Sequence, residues 1–365
     1  MSEGGGLAVM PEYPRYTFAP IRSVVSRRLM QRHPDLLQDL AVKSWEIAPA
    51  ETTMTPSAWY LPGQLERVTG WAFADEHPRR EMEGTAVTHA ATRAYLLENV
   101  WLLDGALYKD DGYSWLTPRS SVVPPLRADL DIQRAAIFCT AMGNKYFGQW
   151  LMDDCVTYPL AEAEGTPVMT DQAVNDHTPM YEDWLGMKPL RLHNAFFHEL
   201  VIFDDFGQNK HKHHRFRTMS DKLRSHVAVK THPGIFILRG SSGSRRILRN
   251  EQEIAERLRN RRGFRIIDPG RSDLPTIAAA CAGARTVVGV EGSGLIHGVL
   301  LLQHGDSILT LQPPNRFVTV FKHLADRDGQ HFGFVVGRPE GSGFVIDPEE
   351  VERTLDLFPA WMNAI

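Results

Sequence analysis

Between residues 234 and 311 short apolar runs alternate with helix-length runs, and no other feature of the 365-residue chain restricts its fold as much. The apolar runs at 234–240, 264–268, 286–290 and 307–311 have strand length, and the segments 250–260, 275–284 and 293–302 between them have helical spacing. Strands and helices alternating at this pitch form βαβ units, so a parallel sheet covered on both faces is expected. The final segment, 347–362, predicts an amphipathic helix with Val351, Leu355 and Phe358 on one side.

Upstream the pattern is less regular. Residues 95–115 hold two apolar runs broken at Asp104-Gly105, a β-hairpin signal. Residues 133–140, 167–170 and 200–203 are of strand character, whereas 146–163 and 181–187 predict helices. The basic, His-rich run at 207–217 separates regular stretches and is expected to be a mobile loop or the inter-domain crossing. At about 150 residues per domain the length suggests two domains. The expected division is an extension over 1–90, a lobe over 91–222, a second lobe over 223–345 and a terminal helix over 346–365. A net charge of −4 gives the whole chain no electrostatic reason to coat nucleic acid. Cys139, Cys155 and Cys281 form no C-x-x-C pair and are expected to be small core hydrophobes in a reducing compartment. The sequence begins with no basic-then-apolar leader, and no window approaches the roughly 18 apolar residues of a spanning helix. A cytoplasmic protein is the expectation.

Two segments point to chemistry. In residues 286–298 an apolar strand ends at Val290, and Gly292, Ser293 and Gly294 turn the chain into a helix, so backbone N–H groups and the positive helix end would face a ligand such as phosphate. The alternative is that the glycines only let helix and strand pack closely. In residues 236–253 a strand ends near Arg239 and a Gly/Ser loop leads through Arg245 and Arg246 to Asn250, which with Glu253 has capping-box spacing. Arginines at the carboxyl edge of a parallel sheet can grip a phosphate bidentately; a solvated basic loop is the alternative. Asp153 and Asp154, on the opening turns of a predicted helix, are the candidates for a general base; the alternative is that both simply favour the helix N-terminal dipole and face solvent. His297 could reach a phosphate or a base, or be a core histidine. His193, His198 and Glu199, and His211, His213 and His214, are metal-ligand types without the H-E-x-x-H spacing, so no metal site is expected.

The order of Arg239, Arg245, Arg246, Asn250 and Glu251, followed after one helix and one strand by A-x-x-V-V-G-x-x-G-S-G-L at 284–295, resembles glycosyltransferase family 61. Residues 144–153 are similar to that family's N-terminal N-Y-x-H-W-L-x-E-like signature. The resemblance covers roughly residues 95–345. It implies a GT-B-like α/β fold, with two Rossmann-like lobes of parallel sheets and a cleft between them. It also implies a nucleotide-sugar donor, of UDP type, held by the C-terminal lobe through Arg239, Arg245, Arg246, Asn250, Glu251, Glu291, Gly292, Ser293, Gly294 and His297. The acceptor would be a glycan, the transfer inverting with no cofactor and no obligatory metal, and Asp153 or Asp154 the base. The setting would be bacterial capsular polysaccharide assembly, which leaves peripheral membrane association open. Two positions where the family carries His are Gln149 and Glu291 here, so a catalytically silent nucleotide- or glycan-binding protein on the same fold is the rival expectation.

Overall fold

Two-residue connections force strands to run antiparallel, because a parallel pair needs a crossover of a dozen residues or more. Residues 92–115 obey this rule in the computed structural model, which describes residues 15–28, 31, 33–72, 78–118, 120, 125–171, 175–239 and 246–362. Asp104 and Gly105, both at positive φ, turn the chain between two strands, and Asp110 and Asp111 do so between the next two. The chain divides into two units, one of residues 1–50 and 90–215 and one of residues 51–89 and 216–365.

The first unit holds an eight-stranded sheet of β1 (Lys43–Ala48), β2 (Thr92–Leu103), β3 (Ala106–Lys109), β4 (Gly112–Trp115), β5 (Leu130–Ile137), β6 (Thr166–Thr170), β7 (Leu190–Leu192) and β8 (Asn194–Asp204). The order is β7-β6-β5-β8-β2-β3-β4, with β1 also paired to β2. The four strands β7, β6, β5 and β8 are parallel, and β8 pairs antiparallel with β2. The sheet is therefore mixed, which corrects the expectation of a parallel sheet in both lobes: the tight turns of 92–115 cannot make parallel pairs. The crossover from β5 to β6 contains a wide π-turn, Trp150–Asp154, that runs into helix α1 (Cys155–Glu164). Helix α2 (Thr178–Leu185) connects β6 to β7.

The 207–217 segment is not a loop. It opens helix α3 (Lys210–Ser225), and the unit division falls inside this helix, at 215/216, where the sequence placed the crossing near 222. Asn209 caps it, its Oδ1 accepting from the N–H groups of His211 and Lys212, both at 3.1 Å. Lys212, Phe216, Met219 and Leu223 are buried at i, i+4, i+7 and i+11, one helical face.

The second unit holds β9 (Ile235–Ile237), β10 (Arg265–Ile267), β11 (Thr286–Val290), β12 (Ser307–Gln312) and β13 (His331–Val336), all parallel in the order β10-β9-β11-β12-β13. Counted along the chain this is the doubly wound order 2-1-3-4-5, whose topological switch point lies between the first strand and the third. Helices α4 (Glu251–Arg262), α5 (Leu274–Cys281) and α6 (Pro348–Leu355) fall close to their expected places. Pro359 restarts the terminal segment as a separate turn, Pro359–Met362. Phe236, Leu258, Val288, Leu309, Val335 and Phe358 share one apolar core. Residues 51–89 belong to this unit rather than to an extension. The Trp59 N–H donates to the Phe332 carbonyl (2.8 Å) and its carbonyl accepts from the Phe334 N–H (3.2 Å), while Arg67 makes a bidentate pair with Glu350, both bonds at 2.6 Å. No described helix is long and apolar enough to cross a membrane.

Candidate active site

The carboxyl ends of β9 and β11 flank the switch point, and of the sequence-predicted anion residues Arg239, Arg246, Glu251, Glu291 and the Gly292 turn gather there. Arg239 leaves the tip of β9. Its backbone N–H donates to Glu251 Oε1 at the start of α4 (2.8 Å), and its Nη1 donates to the Glu291 carbonyl (3.0 Å). Arg246 Nη1 donates to the same carbonyl (3.1 Å) and also to the Glu291 carboxylate. Burial pulls the Arg239 guanidinium below its ordinary pKa, opposed by the nearby Glu251 charge. The two arginines thus meet at the Glu291 carbonyl, and Arg246 already holds the Glu291 carboxylate as an internal anion.

Gly292 has φ +151° and ψ 173°, a conformation essentially reserved for glycine. A Cβ there would fall on the Arg239 guanidinium. The turn that follows, Ser293–Leu295, leads into a helix of four residues, Ile296–Val299, where a ten-residue helix was expected. Arg217 (3.1 Å), Ser220 and Arg224 of α3 donate to the carbonyls of Leu302, Leu300 and Leu301 respectively, which takes those groups out of any longer helix. A small cavity of about 40 Å³ lies over this edge, lined by Arg239, Gly270, Val290 and Gly294 among others. His297 is buried in the short helix and does not line that cavity. Asn250 makes no side-chain cap on α4, contrary to the capping-box expectation. Its amide instead bonds the Ile346 backbone on both sides, Nδ2 to O at 2.8 Å and Oδ1 from N at 3.3 Å, because the strand-to-helix connection runs beside that segment. Arg245 lies outside the described residues.

In the first unit the carboxyl ends of the parallel neighbours β5 and β8 open into a cavity of about 260 Å³. Asp153 and Asp205 line it together with Thr140, Thr157, Cys139 and Trp115. Asp153 Oδ1 accepts from the Nζ of Lys212, which is wholly buried, and Asp153 Oδ2 accepts from Gln149 Nε2. Lys212 Nζ also donates to the Asp205 carbonyl at 2.5 Å. The Asp205 carboxylate accepts from Arg215 Nη2 (2.6 and 2.7 Å), Thr92 Oγ1 (2.8 Å) and Thr157 Oγ1 (2.8 Å). Asp154 points elsewhere. It is wholly buried and accepts from the Thr140 N–H (3.2 Å) and Oγ1 (2.9 Å), pinning the loop that follows β5. Burial pushes its carboxyl well above the ordinary carboxylate range, although the Thr140 bonds act against that shift. Burial likewise pushes the Cys139 thiol up to about 12, which leaves it a neutral wall of the cavity.

Sequence reasoning missed Lys212, Arg215 and Asp205. The helical repeat of Phe216, Met219 and Leu223 was the available signal, hidden among charged neighbours. The other histidines do not come together as a set. His198 Nε2 pairs with Asp131 (2.8 Å), His193 lies 3.9 Å from Asp104, and His211, His213 and His214 ride on α3. Among the described residues no three His, Cys, Asp or Glu side chains are grouped to hold a metal ion.

A doubly wound lobe with a switch-point edge built of arginines and a glycine turn defines an α/β protein with a candidate anion-binding edge in its C-terminal half. The family model of glycosyltransferase 61 matches residues 86–309, more than half of the chain, and the chain belongs to glycosyltransferase family 61. Membership assigns it to the transferases that move a glycosyl group from a donor to an acceptor. No curated protein matches the chain.

Proposed function

We propose that the protein transfers a sugar from a nucleoside-diphosphate donor, a UDP-sugar first among the candidates, to a glycan hydroxyl with inversion. The proposed setting is assembly of a bacterial surface polysaccharide, on the two-lobed plan called GT-B. The observation that carries the reading is the convergence of Arg239, Arg246 and the Gly292 turn on the switch point of the parallel sheet, in a chain of this family. A leaving diphosphate needs positive charge and N–H donors fixed before it forms, and these groups supply both. Inversion needs one base, and Asp153 suits that role better than Asp154. Asp153 lines a cavity with both carboxylate oxygens held, by Lys212 and Gln149, whereas Asp154 is enclosed against Thr140. Asp153 would take the proton of the acceptor hydroxyl as that oxygen bonds to the anomeric carbon, and the bond from that carbon to the diphosphate oxygen would break with its electron pair going to the leaving group. Asp154 then acts as a positioning residue for the loop after β5.

The test is a panel of UDP-, GDP- and ADP-sugars with and without divalent metal, read as release of nucleoside diphosphate in the presence of glycan acceptors. Asp153→Asn should bind nucleotide as the parent does and lose turnover by at least about 10²-fold, the scale of a general base. Turnover retained in that variant removes Asp153 as the base. Nucleotide binding with no transfer from any donor moves the protein to the silent-binder reading.

A further inference from the structure

The first-unit cavity is larger than the base on its wall requires, and its chemistry is apolar. Its volume is about 260 Å³. An apolar cavity of about 150 Å³ already holds a benzene-sized group, so by proportion roughly ten carbons fill this one. Leu37, Leu107, Ile137, Phe138, Ile202 and Phe203 supply the apolar wall. The polar side chains beside them are largely committed within the chain. The Thr140 hydroxyl donates to Asp154 Oδ1 and accepts from the Gly143 N–H, both at 2.9 Å. The Thr157 hydroxyl donates to Asp205 (2.8 Å), and the Asp205 carboxylate holds Arg215 and Thr92 as well. The rim is also apolar: Trp115 is 41% and Phe206 62% exposed, and Leu36, next to Leu37 in the chain, is 65% exposed. Exposed apolar side chains gathered at one opening mark a binding surface.

We infer that this cavity takes an apolar aglycone of the acceptor, an alkyl or aryl group of that size, and that the attacked hydroxyl belongs to the sugar carrying it. The inference rests on the proposed transfer to a glycan hydroxyl with Asp153 as base. A pyranose brings several hydroxyls, and burying a hydroxyl without a partner is costly, so a sugar ring is a poor match for these walls and a hydrocarbon a good one. Asp153 is the polar group with capacity left. Lys212 and Gln149 occupy two of the about four lone-pair sites of a carboxylate, which leaves it able to accept from a hydroxyl at the cavity wall. Because base and apolar wall belong to one cavity, hydroxyl and aglycone must lie within one sugar ring of each other. The acceptor is then the first sugar on an amphiphile rather than the end of a long polar chain.

The experiment is calorimetric titration of the full chain, without donor, with methyl, butyl, octyl, decyl and dodecyl β-glucosides and β-galactosides below their micelle-forming concentrations. Affinity for at least one of the two sugars should rise by about threefold to fourfold per methylene from butyl to octyl, the worth of burying one CH₂, and by less than threefold in all from decyl to dodecyl. Ala141→Phe, at a half-buried wall position, fills the cavity and should flatten the series. Trp115→Ala, at an exposed rim position, should weaken octyl binding at least threefold, leave methyl binding unchanged and keep the parent's melting point. Affinity that is independent of chain length, that keeps rising undiminished to dodecyl, or that is unchanged in both variants overturns the pocket, as does failure of every glycoside to bind. In the donor-panel assay, equal KM for methyl and octyl glycosides overturns the pocket and leaves the transferase reading standing. The expected chain-length series with no transfer from any donor overturns the transferase reading, and the acceptor role of the pocket with it.

Discussion

Lys212→Met isolates the role of the buried pair beneath the first-unit cavity. The substitution keeps the length of the side chain and removes its charge, so Asp153 loses the donor on Oδ1 and the Asp205 carbonyl loses a 2.5 Å partner. Lys212 is fully enclosed and the Asp153 side chain is 11% exposed, so water cannot replace the ammonium without opening the packing of α3. Removing one partner of a buried pair costs about 3–5 kcal/mol, because the charge left behind is uncompensated. For a unit of this size each kcal/mol moves the midpoint by about 2–4 °C, so the first-unit transition should fall by about 6–20 °C. The assay is differential scanning calorimetry with hydrogen exchange followed in 150–164 and 210–225, since a chain of two units need not melt in one step. Asp153→Leu combined with Lys212→Met replaces the pair by apolar neighbours, and the double variant should be more stable than Lys212→Met alone. A midpoint within about 2 °C of the parent in Lys212→Met, or a double variant whose losses simply add, refutes an energetically coupled buried pair.

Other substitutions separate the remaining groups. For Asp154 the sign follows from a folded-state pKa raised above its ordinary 3.8: the folded state keeps a proton that the unfolded chain releases above about pH 4, so stability is full below that pH and falls as pH rises, by at most about 1.4 kcal/mol per unit. Asp154→Asn should remove that slope in denaturant titrations between pH 4 and 7, and parallel pH profiles for the two proteins would contradict the assignment. Gly292→Ala should cost about 1–3 kcal/mol of backbone strain and displace Arg239, weakening nucleotide binding at least as much as it lowers the melting point. Glu291→Gln removes the internal anion that Arg246 holds, so diphosphate should bind about tenfold or more tightly, the worth of one charge-assisted hydrogen bond; equal or weaker binding shows that Glu291 does not compete with the ligand.

The second unit was legible because each of its first four strands is a short, mainly apolar run bounded by turn or helix signals, and the polar residues within them, such as Thr286 and Thr310, are too few to blur the runs. Its strand order was not legible, since the apolar runs of β9, β10 and β11 are interchangeable as sequences and only the packed helices decide which lies between the others. The fifth strand, 331–336, is not legible because His331 and Gly333 interrupt its run; in the fold Gly333 lies against Trp59 and Phe358, where a side chain would collide. β8 shows only four apolar residues in sequence and extends to eleven in the fold, since His198 and Glu199 are satisfied by Asp131 and Arg134 on the neighbouring strand. α3 failed for the opposite reason. Its charges suggested a mobile loop, yet Lys212 and Arg215 face inward because Asp153, distant in sequence, and Asp205, just ahead of the helix, stand opposite them. The same distinction runs through the candidate site. Arg239 and the Gly292 turn could be found because a strand end and a glycine turn write themselves into local residue types, whereas Lys212 beneath Asp153 depends on which elements meet. A charged residue in a basic run is therefore worth testing against the helical repeat of its apolar neighbours before it is assigned to solvent, and on that test Phe216, Met219 and Leu223 place Lys212 inside.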